Sequence, residues 1–245
     1  MTTDNQSILN HGPFDQVFVR RLRAVTIVLT VLILWNGVSD LIYAYSPALS
    51  GRDYFSSKLW DVICTAGGRS HGMVMLAQTA GWFFPFYALI YYLWWIGMRK
   101  AGFWLSAVPT GLLAYATLMM AGTVHTGMAY LSVLSQAKAV VGSHDPTFYK
   151  MVSRFIVEHF IRANLTVVVT LILGTVWHAA AILSGKTVFP RWFVVFSPLV
   201  VLAVIMTIGV LMPAPLAGFV LATLPTSFMF FPTLASAIWL WNRIE

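Results

Sequence analysis

Asn36 and Asp40 stand four residues apart in an otherwise apolar run, so on a helix they share a face. Asp40 is the carboxylate that lies inside a clear hydrophobic stretch, where an ionisable group is costly and marks a functional candidate. It could act as a general acid or hold a cation, or it could be a structural partner of Arg69 or Arg162. A second concentration lies at 155–181, FIVEHFIRANLTVVVTLILGTVWHAAA, where Glu158, His159, Arg162 and Asn164 precede an apolar block carrying His178. At 100° per residue Asn164, Thr175 and His178 share a face, whereas Glu158, His159 and Arg162 lie toward the opposite one. A straight helix therefore cannot aim both groups into one pocket, and Glu158 and Arg162 are also spaced for a mutually neutralising i,i+4 pair.

Two polar stripes complete the set: His71, Met75, Gln78 and Trp82, and His125, Met128, Ser132 and Gln136. A cavity wall looks like this, and so does helix packing held by side-chain hydrogen bonds. Taken together the residues predict acid–base rearrangement of a lipophilic, lipid or terpenoid-like substrate by an isomerase or cyclase. Asp40 or Glu158 would donate the proton and His125 or His159 would accept it. Asn36, Arg69, His71, Gln78, Arg162 and Asn164 would bind the substrate. A carrier or lipid-binding protein, or a subunit of a membrane complex, is the alternative.

The elements that must position these residues are membrane helices. Of 245 residues, 59% are hydrophobic and 9% charged, with mean hydropathy +0.79; a soluble domain carries about 25% charged residues. The chain reads as one integral membrane domain behind a polar tail at 1–19, which lacks the order of a cleaved signal peptide. Apolar runs at 24–46, 71–98, 103–141, 147–185, 193–212 and 217–241 predict an all-α polytopic bundle of about six spans. Arg20, Arg21, Arg23, Arg99, Lys100, Lys186, Arg191 and Arg243 then fall on one side against Arg52, Lys58, Arg69, Lys138, Lys150 and Arg154 on the other, a mild excess that places both termini in the cytoplasm as an expectation, with a bacterial inner membrane as the setting. Trp94, Trp95, Trp192, Trp239 and Trp241 would form the aromatic belt on that side.

Runs three and four, at roughly 39 residues or 58 Å each, exceed a hydrocarbon core of about 30 Å. They predict a helical hairpin beyond the outer face, turning at GSHDP (142–146) and placing His125 level with Arg162. The net charge of +7 comes with no basic stripe, so nucleic acid is not an expected partner. A single cysteine, Cys64, leaves no internal disulfide or thiolate cluster. The chain has no HExxH, phosphate loop or GxSxG, nor a lysine in the last run, and no cofactor or metal is expected. Membrane lipids and a lipophilic small molecule are the expected partners, with a homo-oligomer possible.

At 185–192 the sequence GKTVFPRW combines a helix-closing glycine, a basic residue and a proline restart beside an interfacial tryptophan. This junction resembles one in a family of small bacterial polytopic membrane proteins. The resemblance covers 175–200 and implies a membrane bundle, with no particular activity attached.

Overall fold

The computed structural model describes residues 14–56, 58–59, 62, 69–119, 122 and 146–241, and among these every regular element is a helix. α1 (Phe14–Ala44) is followed by a loop with a 3-10 turn at Asp53–Phe55, then by α2 (His71–Gln78) and α3 (Phe84–Met98). α4 is Phe103–Met119. α5 (Pro146–Leu183), α6 (Pro198–Leu211), α7 (Leu216–Ala222) and α8 (Leu224–Trp241) complete the order.

α1 is the central element. Leu29, Ile33, Asn36, Asp40 and Tyr43 recur at helical spacing and are buried, facing α8, α2 and α3. The other face is equally apolar but open: Ile27, Val31 and Leu34 are 60%, 61% and 53% exposed. A helix that buries one apolar face and bares another is stable in lipid, since water would penalise so large an open patch.

Three helices are long and apolar enough to cross a membrane: Arg23–Ala44, Asn164–Leu183 and Leu224–Trp241. A fourth crossing arises if the pair His71–Phe83 and Phe86–Ala101, bent by 44°, is one span. The bend has a local cause. Pro85 lacks the N–H needed to continue a helix, and the chain passes through a 3-10 stretch at Thr79–Phe83 just before it. The expected six crossings would need α4 and α6 as well, which are apolar but 17 and 14 residues long. In run five Arg191–Phe196 forms a 3-10 turn before α6, and run six breaks at Thr223 between α7 and α8.

α5 is continuous over 38 residues, about 57 Å. Its buried stripe of Asn164, Val167, Leu171, Thr175 and His178 is the face that the spacing of Asn164, Thr175 and His178 predicts. Gly174 lies on that stripe against α4, where a Cβ would come within 2.9 Å of the Leu113 side chain. The expected hairpin turn and the stripe His125, Met128, Ser132 and Gln136 lie outside the described residues.

The GKTVFPRW junction ties three elements together. Gly185, at φ 70°, ends α5, and the Val188 N–H donates to the Gly97 carbonyl at the end of α3. Phe189 is buried against Gly97 and stacks on Phe193 at 4.5 Å, while Trp239 Nε1 of α8 donates to the Val188 carbonyl at 3.3 Å. Trp192 is exposed. Trp94 is fully buried against Tyr91 instead, because α3 turns it inward.

Candidate functional site

The polar residues of α1 face α8. Asn36 Nδ2 donates to Thr226 Oγ1 at 2.6 Å and, more distantly, to Asp40 Oδ2 at 3.5 Å. The Thr226 hydroxyl donates to Asp40 Oδ2 at 2.5 Å, and its backbone N–H also faces the carboxyl. All three side chains are buried, and no ion pair to Asp40 forms among the described residues. Asn36 Oδ1 has no hydrogen-bond partner among the described residues; an unsatisfied buried acceptor costs about 1–3 kcal/mol. Thr226 is not among the residues that the sequence singles out. The signal for it was the spacing of Thr226, Thr233 and Ser236, which places three small polar groups on one helix face, and all three are buried.

Neighbouring polar contacts hold the bundle around this cluster. Ser39 Oγ donates to the Ala77 carbonyl of α2 at 2.8 Å, and Trp35 Nε1 donates to Thr79 Oγ1. The Tyr87 hydroxyl donates to the Leu32 carbonyl, and the Tyr91 hydroxyl bonds Thr117 Oγ1 on α4 and Met229 Sδ on α8. Such bonds hold helices together where no hydrophobic force acts between them.

The other predicted residues that the structure describes occupy settings of their own. Arg69 Nη2 donates to the Tyr45 carbonyl at 2.7 Å, tying the loop to the end of α1. His71 is exposed at the start of α2 and Gln78 is half-buried at its end. The stripe they share with Met75 and Trp82 faces outward. The inward face of α2 is made by Val74 and Ala77, whose small side chains allow the close approach that the Ser39 bond requires. Glu158 is half-buried, Arg162 exposed and Asn164 buried, all on α5. His125 and the side chain of His159 lie outside the described residues.

His178 is 3% exposed with its ring centroid 5.2 Å from that of Trp94. Among the described residues, both of its ring nitrogens, and Trp94 Nε1, are buried without hydrogen-bond partners. Among the described residues no three His, Cys, Asp or Glu side chains form a metal-binding group.

The loop after α1 has its own order. The Tyr54 hydroxyl donates to the Ala44 carbonyl and accepts from the Ser46 N–H, capping α1, and its ring packs with Leu49, Leu221 and Ala222. The Lys58 ammonium, 2.7 Å from Asp53 Oδ1, together with the Ser50 hydroxyl and amide, holds the Asp53 carboxyl down at about 2.

An apolar groove of about 450 Å³ runs between α1 and α8 on the side where α1 bares apolar residues, lined by Thr26, Thr30, Val31, Leu234, Ile238 and Trp241. Arg23 closes one end, its guanidinium 4.7 Å from the centre of the Trp241 ring, a cation–π contact. This architecture defines a helical protein with apolar helices fit to cross a membrane. Compared with protein-family models, curated proteins and solved structures, the chain finds no match.

Proposed function

We propose that this chain is an integral membrane protein that holds a lipid-like molecule in the groove between α1 and α8. The observation that carries the reading is the groove itself: apolar, open to the side where α1 bares Ile27 and Val31, and ended by the Arg23–Trp241 pair. Pockets for lipophilic ligands are apolar with a few polar groups that orient one end, and here Arg23 and Thr26 supply them. The acid–base rearrangement would require the ligand to reach Asp40. The Asp40 carboxyl is engaged by Thr226 and Asn36, and Asn36 lies six residues, about 9 Å, beyond Thr30 along α1. Binding is the function that this geometry supports better.

In the proposed topology α4, α6 and the bent α2–α3 pair also cross, giving six spans with both termini in the cytoplasm of a bacterial cell. Basic residues at 20–23, 99–100, 186 and 191 support this orientation. The groove then opens to the inner leaflet.

Native mass spectrometry of protein purified in mild detergent tests the proposal. Val31→Trp fills the groove from its open side, whereas Val28→Trp adds the same bulk to an exposed position outside the lining. Wild type and Val28→Trp are expected to retain a bound lipid that Val31→Trp loses. Equal retention by all three would overturn the proposal.

A further inference from the structure

We infer that the occupant of the groove between α1 and α8 is an anionic phospholipid, with an acyl chain along Val31 and Ile238 and its phosphate at Arg23. The inference rests on the proposed function, which puts a lipid in the groove, and adds the charge of its headgroup. Arg23 lies where α1 meets the end of α8, its guanidinium over the Trp241 ring. The ring fixes the head of a long side chain beside the groove. A guanidinium so placed presents a fork of N–H donors that matches a phosphate with two bonds at once. The lining beyond it is apolar apart from Thr26, Thr30 and the Trp241 indole, and the Thr30 hydroxyl donates to the Thr26 carbonyl within α1 at 2.9 Å. Charge therefore sits at one end, and hydrocarbon surface fills the roughly 12 Å from Arg23 to Val31.

The second observation is the charge of this end of the bundle. Trp239 bonds the Val188 carbonyl and Val188 bonds Gly97, so the start of the apolar part of α1 and the ends of α3, α5 and α8 meet there. Arg21, Arg99, Lys100, Lys186 and Arg191 are exposed at that same end. The carboxylates whose side chains are described lie elsewhere. Asp40 is 17 residues, about 26 Å, further along α1. Asp53 is held by Lys58 in the loop beyond the other end of α1. Glu158 stands 25 residues, about 38 Å of helix, before the end of α5. A zwitterionic headgroup would bring an ammonium toward these cations, whereas a phosphatidylglycerol headgroup brings only its negative charge. In the proposed orientation this end meets the cytoplasmic leaflet, whose surface is anionic.

The test reconstitutes the full chain in vesicles of equal parts phosphatidylglycerol and phosphatidylcholine with identical acyl chains, then extracts it in mild detergent for native mass spectrometry. Wild type is expected to retain phosphatidylglycerol over phosphatidylcholine by about fivefold or more, the effect of one basic side chain beside an anionic headgroup. Arg23→Gln is expected to keep a lipid and lose that preference, and Arg23→Lys, which keeps the charge, to keep the preference. Arg99→Gln removes a charge from the same end away from the groove lining, and should lower the preference less than Arg23→Gln does. Equal retention of the two lipids by wild type, or an undiminished preference in Arg23→Gln, overturns the inference while leaving the groove a lipid site. An equal fall in Arg23→Gln and Arg99→Gln assigns the preference to the general charge of that end and overturns it as well. Wild type without any lipid, or a lipid-free dimer that Val31→Trp splits, overturns the proposed function and the inference with it.

Discussion

At the scale of single residues, the buried polar groups of the bundle divide into those with partners and those without among the described residues. His178 belongs to the second kind: burial removes water from both ring nitrogens and the described residues around it return no hydrogen bond. If packing against Trp94 is its whole role, His178→Phe removes that cost and keeps a ring in place. Thermal or denaturant unfolding should then show stability raised by about 1–3 kcal/mol. A loss of similar size would mean that the imidazole is bonded to a ligand. Asp53, on the surface, behaves oppositely. Its carboxyl is held at about 2 against an ordinary 3.8 by Lys58 and Ser50, so it favours the folded loop at every pH above the ordinary value. That contribution fades as pH falls from near 3.8 through about 2. In Lys58→Met the Asp53 titration, followed by NMR of carboxyl-labelled Asp, should move up toward the ordinary value; an unmoved titration would discount the Lys58 contact.

At the scale of elements, close approach is set by small residues. α5 meets α4 at Gly174, where any Cβ falls within 2.9 Å of Leu113 Cγ and 3.2 Å of its backbone nitrogen. Gly174→Ala is expected to destabilise by about 1–3 kcal/mol through overpacking. Combining it with Leu113→Ala should recover part of that loss in a double-mutant cycle; strictly additive losses would mean that the helices do not meet there. Periodicity made the buried face of α5 legible over 164–178, because it repeats polar and small residues at helical spacing. It misassigned the inward face of α2. On a short helix in lipid, apolar Val74 and Ala77 and polar His71 and Gln78 give two competing stripes, and a single tertiary bond, Ser39 to the Ala77 carbonyl, settles which one turns inward.

At the scale of the whole molecule, the proposed topology makes a direct prediction. In a Cys64→Ser background, Ser56→Cys should react with an impermeant thiol reagent from outside intact cells, and Lys186→Cys only after the cells are opened. Labelling of both positions from the same side would remove the odd number of crossings between them. Composition and apolar run length were enough to establish a helical chain fit for a membrane, because the cost of unpaired backbone in lipid leaves few other solutions. They could not establish how many runs cross. That depends on local breaks at Pro85, Ser197 and Thr223, which shorten helices within runs of adequate hydropathy.

Hydropathy and helical spacing, read alone, determined the helical class of the protein, the existence of an apolar first helix and the pairing of Asn36 with Asp40 on one face; that the first helix is central came from the packing. Both properties are local, carried by neighbours within a turn or two. Only the tertiary structure decided that Thr226, 186 residues from Asp40, completes the cluster and that the groove lies between the first and last helices. Contacts between distant segments depend on how whole faces fit together, and no short-range pattern encodes that fit.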